Sequence, residues 1–387
     1  MISAYLHSVA EVLAELQQQG IFPDCSALVT DHRQLSGTRD VLLAVPGQTF
    51  DPRNLADDLL HERRCGLVLA EYDERRVYQS AGVIPVLNLR SMLAELAEQY
   101  YGTAQSEVHV IAVTGTNGKT TVTRWIAQAL NQLGCKAAVI GTLGHGLPDD
   151  LKSHSGLTTP DVVGMHHLIH SLGSQAVKVV CVEASSIGLE QGRLNGIPIR
   201  TAVFTNLSQD HLDYHETMEA YGQAKLLLAK WPSLAGGVVN SDDPFAAEFQ
   251  GELLRRELGC ITVGRGTANQ IRIKQVEHTA TGLLVRFSHG GMDVDVNAPV
   301  IGDFNAENLG LVYGVLLNMG HAPADLVPAL SNITSAPGRM EWVADSPCVI
   351  VDYAHTPDAL ERVLKTLRPL ALSRGGRVCV VFGCGGD

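Results

Sequence analysis

A short glycine-rich segment constrains this chain more than any other part of its sequence. Residues 110–121 read VIAVTGTNGKTT, an apolar run followed by Gly115, Gly118, Lys119 and Thr120. Glycines let backbone N–H groups close around phosphate oxygens, a lysine adds a positive charge, and a threonine hydroxyl can reach Mg²⁺. A helical pattern follows over 122–133. The segment is therefore predicted to be a phosphate-binding loop between a strand and a helix, the alternative being a chance glycine turn.

The loop departs from the general phosphate-loop pattern. That pattern, G-x-x-x-x-G-K-[ST], requires a glycine where this chain has Val113, so the loop has the shorter form G-x-x-G-K-T. The N-K-x-D pattern with which GTPases read their base is not found in the sequence. Both features disfavour GTPases and phosphate-loop motors.

Size and charge set further bounds. With 387 residues, 45% of them hydrophobic, the chain is too large for one core, and two or three domains are expected. The net charge of −12 argues against a nucleic-acid partner. We expect no membrane insertion, because no apolar run reaches the length of a bilayer and the first residues do not resemble a signal peptide. Eight scattered cysteines without a C-x-x-C pair indicate reduced thiols in a cytosolic protein.

Alternating strand and helix patterns predict an α/β fold with three domains. A small α/β domain is expected over 1–104, a larger one with a mostly parallel sheet over 105–336, and a third over 337–387. The larger domain includes a period-two stretch, Ile271–Val296, with turns at Thr281-Gly282 and Gly290-Gly291, which predicts a small antiparallel excursion. Its parallel strands are predicted at Val108–Val113, Ala137–Ile140, Val177–Val182, Arg200–Phe204 and Gly237–Val239.

The third domain is predicted to begin after a linker at Pro337-Gly338 as a single βαβ unit. Its elements are a strand at Val349–Asp352, a helix at Pro357–Leu367 and a strand at Arg377–Phe382. The sequence stops in a glycine-rich segment where a helix normally follows a parallel strand. We therefore expect this Rossmann-like domain to be incomplete.

Polar residues follow two of the predicted parallel strands. Glu183 ends one of them, and residues 205–215, TNLSQDHLDYH, follow the next. Ligands bind at this edge of open parallel sheets, and a carboxylate beside a phosphate loop is a natural Mg²⁺ ligand. The histidine spacing lacks the H-E-x-x-H pattern and nearby cysteines, so a hard cation is favoured over zinc.

Five further candidate residues lie outside these two strand ends. Lys225, in the segment YGQAK, has by itself the pattern of a solvated helix lysine. Asn305 precedes a helical pattern, and its amide is equally suited to reading an adenine edge or to capping the helix. Arg339 lies on the linker, where it can meet a phosphate. Asp352 and His355 end a strand before Pro357, and we expect both to face a nucleotide.

These motifs, in this order, resemble the Mur ligase family, which couples ATP to amide-bond formation. The resemblance covers residues 30–387, and within the family it is strongest to the ligases that extend a UDP-N-acetylmuramoyl dipeptide, UDP-N-acetylmuramoyl-L-alanyl-D-glutamate, by diaminopimelate or lysine. The motifs are GTNGKTT at 115–121, TTP at 158–160, EASS at 183–186, FTNLSQDHLDYH at 204–215, YGQAK at 221–225, VDYAHTPDAL at 351–360 and FGCGGD at 382–387.

The resemblance implies roles for individual residues. The catalytic set would be Lys119, Glu183, His211 and Lys225, with Lys225 carbamylated. Mg²⁺ would be held by Thr120, Glu183, His211 and the modified Lys225. ATP would be bound by Gly115, Thr116, Asn117, Gly118, Lys119, Thr120, Thr121, Asn305, Arg339, Asp352 and His355. The UDP-linked dipeptide would be bound by Thr30, His32, Gln48, Thr49, Phe50, Thr158, Thr159, Ser185, Gln191 and Arg193.

Three positions depart from the family pattern. His32, Leu157 and Ile187 stand where the family usually has serine, asparagine and histidine, and the Asp-Asn-Pro-Arg-type motif that selects the added amino acid is not in the sequence. The resemblance implies a cytoplasmic, monomeric enzyme of peptidoglycan synthesis. Two alternatives stay open: a fragment that only binds nucleotide and UDP-substrate, and a ligase of the folylpolyglutamate or cyanophycin type.

Overall fold

A computed structural model describes residues 5–47, 49–152, 156–279, 282–355 and 357–383. Its contacts divide the chain into two compact units. The first comprises Met1–Val108, Pro160–Ala176 and Gln191–Pro198, and the second comprises His109–Thr159, Val177–Glu190 and Ile199–Asp387. Gln48, Thr281 and residues 384–387, all of which enter the predictions above, lie outside the described residues. The domain boundaries after 104 and 336 stay predictions.

The first unit contains a four-stranded parallel sheet with helices. Its strands run in the order β1-β2-β3-β4, and apolar residues from the strands and from three helices form its main core. Ser8 caps the first helix by accepting a hydrogen bond from the backbone N–H of Glu11. The elements are α1 Val9–Gln18, β1 Leu28–Val29, β2 Val41–Ala44, α2 Ala56–His61, β3 Leu67–Glu71, β4 Val83–Val86, α3 Leu89–Tyr101 and α5 Val162–Ser174.

The second unit is built on an eleven-stranded sheet. Seven neighbouring strands, in the order β13-β12-β11-β10-β5-β9-β6, are parallel. The mostly parallel sheet predicted from the sequence is thus confirmed. These strands are β5 His109–Thr114, β6 Ala137–Gly141, β9 Val179–Glu183, β10 Ile199–Phe204, β11 Gly236–Asn240, β12 Gly259–Gly264 and β13 Ile271–Thr279.

Antiparallel strands extend this sheet at both ends. The predicted excursion is present as β14 Gly282–His289 and β15 Met292–Ala298, which pair antiparallel beyond β13. At the other edge, β7 Gly144–Leu147 and β8 Asp150–Lys152 form a hairpin that the sequence did not predict. Its strands have only four and three residues, too few to show the alternation that marks a longer strand.

Helices cover the sheet of the second unit. The long α10 is buried along most of its length, and α4 packs against both α10 and the sheet. The indole N–H of Trp125 on α4 donates to the Thr334 carbonyl at 2.9 Å, which ties α4 to the segment after α11. The helices are α4 Lys119–Gln132, α6 Ser186–Glu190, α7 Leu212–His215, α8 Met218–Leu226, α9 Ala246–Arg255, α10 Phe304–Asn318, α11 Pro323–Ser331 and α12 Pro357–Ser373.

The prediction for the C-terminal segment is partly wrong. The segment forms an antiparallel hairpin of β16 Glu341–Asp345 and β17 Cys348–Val351, followed by α12. Residues 377–383 carry no strand, although a strand was predicted at Arg377–Phe382. A strand needs a neighbour for its backbone hydrogen bonds. The side chains here are solvated instead, with Val381 100% exposed and Phe382 76% exposed.

Within the described residues, none of the helices has both the length and the apolar content that crossing a bilayer requires. The cysteines in this part of the chain are free thiols: Cys25, Cys65, Cys135, Cys181, Cys260, Cys348 and Cys379.

Candidate nucleotide-binding site

The carboxyl ends of three neighbouring parallel strands build the site in the second unit. β5 lies between β9 and β10. Because the strands are parallel, the segments that follow them meet at one edge of the sheet. The glycine-rich loop follows β5, Glu183 ends β9, and Thr205 follows β10. The sequence-predicted clusters are therefore brought together by the sheet itself.

Two glycines of the loop occupy positions that no other residue would fit. Gly115 has a φ of +144°, and a Cβ there would lie 1.9 Å from Thr205 Oγ1. Gly118 has a φ of +87°, and a Cβ there would lie 2.7 Å from Asn308 Oδ1. Both the backbone conformation and the close approach demand glycine. A chance glycine turn does not explain why Thr205 and Asn308 approach these two glycines so closely.

The residues after β10 hold the loop in shape. The N–H of Thr116 donates to the Asn206 carbonyl at 2.8 Å, and the N–H of Asn117 donates to Asn206 Oδ1 at 2.9 Å. In the other direction, Thr205 Oγ1 donates to the Asn117 carbonyl at 2.6 Å. The loop is thus fixed by protein contacts, with the N-terminus of the 14-residue helix α4 directly behind it, an arrangement that favours anions.

Lys119, the first residue of α4, is turned back onto the loop. Its ammonium donates to the carbonyls of Gly115 and Thr116, each at 2.9 Å. Burial lowers the pKa of Lys119, whereas the nearby carboxylates of Glu183 and Asp210 oppose that shift. The charge is therefore held at the loop, where phosphate oxygens would be its natural partners.

Glu183 is the buried acid of the site. It is 2% exposed, and its carboxylate accepts hydrogen bonds from Thr120 Oγ1 at 2.9 Å, from the Thr142 N–H at 2.9 Å and from Thr142 Oγ1 at 3.1 Å. Gly141 comes so close that a Cβ there would lie 2.0 Å from Glu183 Oε1. These contacts fix one carboxylate orientation next to the phosphate loop.

Two predicted substrate contacts, Thr159 and Ser185, lie at the same strand end. Thr159 is fully buried, and its hydroxyl donates to the Glu183 carbonyl at 2.7 Å and accepts from the Ser185 N–H at 3.0 Å. Thr158 lies nearby, with its hydroxyl 3.1 Å from that of Thr142. Thr159 therefore supports the strand end, and contacts of these residues with substrate stay predictions.

His211 and Asp210 line the other side of the loop. They line an open cleft together with Lys119, Thr120 and Glu183. His211 Nε2 lies 3.7 Å from Asp210 Oδ2. Burial lowers the pKa of His211, and Asp210 opposes the shift. A neutral imidazole at this place can act as a ligand or an acceptor.

Lys225 is buried, in contrast to the solvated lysine that its sequence pattern alone suggested. It is 1% exposed, its ammonium donates to the Gly115 carbonyl at 2.9 Å, and it lies 4.0 Å from the centre of the Tyr221 ring. Burial lowers the pKa of Lys225 well below its usual range, and the Lys119 charge reinforces the shift. Lys119 and Lys225 thus converge on one carbonyl oxygen of the loop.

A second open cleft continues from the loop towards α10 and α12. Asn305 lines it, but Asn305 is not the helix cap, because α10 begins at Phe304 with Asp303 at the cap position. The capping interpretation is therefore wrong. The amide of Asn305 donates to the Ile301 carbonyl and accepts from Asn308, so reading an adenine edge stays a prediction.

The residues that flank the C-terminal hairpin supply one wall of both clefts. Arg339 lies over the Tyr353 ring, with its guanidinium carbon 4.4 Å from the ring centre. Asp352 accepts hydrogen bonds from the N–H groups of Met340 and Ala354, each at 2.8 Å. Arg339 and His355 line both clefts, whereas Asp352 lines the second. These three residues therefore line the clefts beside the loop, and their contacts with a nucleotide stay predictions.

The residues predicted to bind uridine belong to the first unit. Thr30 directly follows β1, and the rings of His32 and Phe50 lie 5.2 Å apart. Phe50 is 47% exposed, and Thr49 is also exposed.

Gln191 and Arg193 belong to the first unit as well. The guanidinium of Arg193 donates to Gln191 Oε1 at 2.6 and 3.0 Å. The roles of all the described residues assigned to the UDP-linked dipeptide stay predictions.

The sequence analysis did not single out Thr142 or Glu307, and it included Asn206 and Tyr353 only as members of the segments 205–215 and 351–360. Thr142 follows the parallel strand β6, so the strand-end rule that found Glu183 could have found it. Glu307, whose pKa burial raises, and Tyr353 carried no such signal.

The donor set at Glu183 suits Mg²⁺. No group of three or more histidine, cysteine or acidic side chains able to hold a metal ion exists among the described residues. Mg²⁺ is usually bound through one or two carboxylates, waters and substrate phosphates, not by a full protein cage. The buried Glu183 carboxylate, which lies beside the Thr120 hydroxyl at the phosphate loop, matches this mode of Mg²⁺ binding.

The sheet and its loop define the second unit as a phosphate-loop nucleotide-binding fold. The Mur ligase middle domain matches residues 113–316, and the Mur ligase glutamate ligase domain matches residues 338–387. The chain belongs to the Mur ligase family, whose members are ATP-dependent ligases, and it is itself a ligase of this kind.

Individual relatives carry more specific names. UDP-N-acetylmuramoyl-L-alanyl-D-glutamate--2,6-diaminopimelate ligase of Acidovorax sp. (strain JS42) is 38% identical over 373 residues, which is 93% of this chain and 74% of that protein. The ligase of the same name from Chromobacterium violaceum is 38% identical over 378 residues, 97% of this chain and 76% of that protein.

Solved structures agree with these relatives. A structure of a ligase with that name is 31% identical, with a TM-score of 0.72 over 93% of this chain and 73% of that one. The MurF ligase of Thermotoga maritima, solved with ADP, has a TM-score of 0.67 at 18% identity over 89% of this chain and 75% of that one, which supports the fold alone.

Proposed function

We propose that this chain forms an amide bond between diaminopimelate, in its meso form, and the D-glutamate of UDP-N-acetylmuramoyl-L-alanyl-D-glutamate at the expense of ATP. L-lysine is the second candidate for the added amino acid. The observation that carries the proposal is the 38% identity over 93% of the chain with ligases bearing that name. We further propose that it acts as a cytoplasmic monomer in peptidoglycan synthesis.

The proposed chemistry begins at the side-chain carboxylate of the D-glutamyl residue. A carboxylate is a poor electrophile, so its conversion to an acyl phosphate is the step that ATP must drive, after which the amino group of diaminopimelate attacks and phosphate leaves. Such phosphoryl transfer depends on positioning and on electrostatic stabilisation. The residues at the loop supply both.

Each residue of the loop region has a part in this proposal. Residues 115–121 surround the phosphates, with the backbone N–H groups at the N-terminus of α4 as donors, and Lys119 places a positive charge where the transferred group gathers negative charge. Glu183, Thr120, His211 and a carbamylated Lys225 would hold Mg²⁺. Bound there, Mg²⁺ would neutralise charge on the phosphate oxygens and orient them.

The surroundings of Lys225 support its modification. Its ammonium is buried and lies near the Lys119 charge, both of which favour the neutral amine. A neutral amine is the form that adds to CO₂, and the resulting carbamate converts a cationic side chain into an anionic one. That anion would suit a metal ion better than the ammonium does.

Amide formation should be followed directly. The chain would be incubated with ATP, Mg²⁺ and UDP-N-acetylmuramoyl-L-alanyl-D-glutamate, with meso-diaminopimelate or L-lysine in parallel, and both phosphate and the UDP-linked product would be measured. We expect phosphate release and product only with diaminopimelate, and neither in a Lys119→Ala control.

The other outcomes are equally informative. Product with folate and glutamate in place of the UDP-linked dipeptide would identify a folylpolyglutamate-type ligase. Binding of the dipeptide without product would restrict the chain to binding. A folded chain that binds neither ATP nor the dipeptide would refute the proposal.

A further inference from the structure

Tyr221 connects two parts of the site that come from different elements. It lies on α8 four residues before Lys225, so the two side chains share one face of that helix. The Tyr221 side chain is fully buried, and the Lys225 ammonium lies 4.0 Å above its ring. At this separation the ring face packs directly against the end of the Lys225 side chain, and it limits where that nitrogen can lie whether it is an amine or a carbamate.

The hydroxyl of Tyr221 reaches the phosphate loop. It donates to Thr116 Oγ1 at 3.2 Å. Thr116 Oγ1 also accepts from the Ser208 N–H at 3.0 Å and donates to the Ser208 carbonyl at 3.1 Å. A hydroxyl has one donor and two acceptor positions, so the bond from Tyr221 completes the set at Thr116.

The helix therefore touches two consecutive loop residues through two side chains. Lys225 contacts the Gly115 carbonyl, and Tyr221 contacts the Thr116 hydroxyl. A phenylalanine would fill the same space but would leave Thr116 one partner short. The hydroxyl thus has a role that packing alone does not explain.

The side chain of His215 packs against the Tyr221 ring. The His215 ring lies 5.1 Å away with an interplanar angle of 36°. His215 is 6% exposed, with Nε2 2.9 Å from Ser186 Oγ and Nδ1 3.3 Å from Glu190 Oε2. Ser186 and Glu190 bound α6, so the ring is braced by an element that directly follows β9 and Glu183.

We propose that Tyr221 is a positioning residue that fixes Lys225 and the phosphate loop relative to each other, its ring serving Lys225 and its hydroxyl serving Thr116. The inference rests on the proposed function only in taking ATP as the ligand of the loop. It assigns separate effects to the two parts of one side chain, and these can be measured separately.

Two variants separate the ring from the hydroxyl. Tyr221→Phe removes only the bond to Thr116, and we expect the dissociation constant for Mg·ADP and the KM for ATP to rise about fivefold with kcat nearly unchanged. Tyr221→Leu also removes the ring against which Lys225 packs, and we expect kcat to fall about tenfold in addition because Lys225 would be misplaced. Tyr313→Phe is the matched control: Tyr313 is a fully buried tyrosine on α10 whose hydroxyl has no partner within the described part of the chain.

The measurements distinguish this inference from the proposed function. Absence of ligation in the unsubstituted chain would contradict the proposed function, and the Mg·ADP titrations would still decide the role of Tyr221. Tyr221→Phe with the nucleotide affinity of the Tyr313→Phe control would overturn the inference. A fall in kcat alone, in proportion to a lowered folded fraction, would also overturn it, because that is the effect of a merely structural residue. If Tyr221→Leu fails to fold, Tyr221→Phe alone decides.

Discussion

Replacing Gly141 by alanine should disable the site while leaving the fold intact. Gly141 ends β6, and its φ is not in the left-handed region, so alanine suits the backbone there. The added Cβ would, however, lie 2.0 Å from Glu183 Oε1, 2.5 Å from Cδ and 2.7 Å from Cγ. The whole carboxylate would therefore have to move.

The size of that movement follows from the contact distances. An ordinary contact begins at 3.4 Å, so Oε1 must shift by about 1.4 Å. Such a shift would break or weaken the hydrogen bonds that Glu183 accepts from Thr120 and Thr142. Misplacement by about 1 Å costs on the order of a hundredfold in rate where catalysis depends on positioning. Overpacking of this kind destabilises a fold by about 1–3 kcal/mol.

The assay compares Gly141→Ala with Gly251→Ala. Gly251 lies in α9, where a Cβ would meet no atom within 4 Å, so alanine there should keep full activity and should even stabilise the helix by roughly 1 kcal/mol. Ligation rate and urea unfolding would be measured for both. Gly141→Ala with the ligation rate of the control would refute the assignment of Glu183 to the reacting centre.

Three further predictions follow from other parts of the chain. Lys119→Ala should abolish ATP turnover, because no other described side chain donates to both loop carbonyls; retained phosphate release would contradict its role. Lys225→Ala should lose ligation that added short carboxylates partly restore, and the same carboxylates should leave the unsubstituted chain unaffected. Burial lowers the pKa of His166 to about 4, with its ring bound to Thr103 Oγ1 and the Asn195 carbonyl. The unfolded chain therefore binds the extra proton first, and stability should fall as the pH drops below 6.5, by about 2 kcal/mol between pH 7 and pH 5. Urea unfolding at both pH values should show a smaller loss for His166→Gln, and an equal loss would contradict the assignment.

The sequence was sufficient to predict the gathering of residues at the sheet edge. Apolar strands alternating with helices imply a parallel sheet, and parallel strands bring their ends together, so the loop, Glu183 and the segment after β10 could be placed side by side. The same rule applied to β6 would have added Thr142. The alternation of strands and helices, together with the rule that parallel strand ends meet at one edge, was enough to predict this part of the site.

Contacts between distant segments could not be read in the same way. Nothing in the pattern around Asn206 indicates that its amide closes the loop at Asn117, or that Gly141 faces Glu183. The strand predicted at Arg377–Phe382 failed for a related reason. Apolar β-branched residues favour a strand, but the ladder partner that a strand needs lies elsewhere in the fold.

The sequence also could not show which of the two units a given segment belongs to. Residues 160–176 follow the pattern of a helix between two strands of the second unit, and the sequence assigned them there. Their contacts join them to the first unit, where Val163 on α5 packs into the core with residues of α3. Periodicity shows which face of a helix is apolar but not which core that face joins.

Protein groups from two sides of the site determine the shape of the loop. Asn206 and Thr205 hold the loop from the β10 side, whereas Tyr221 and Lys225 reach it from α8. The Lys119 ammonium bonds to the carbonyls of Gly115 and Thr116, so its charge is satisfied by contacts that a phosphate can replace. The backbone is thus fixed by protein contacts, while the Lys119 ammonium remains free to exchange a carbonyl for a phosphate oxygen. A site that must bind a polyanion and then release it needs that combination, because reorganising the loop would weaken binding and an unbreakable ion pair would prevent it.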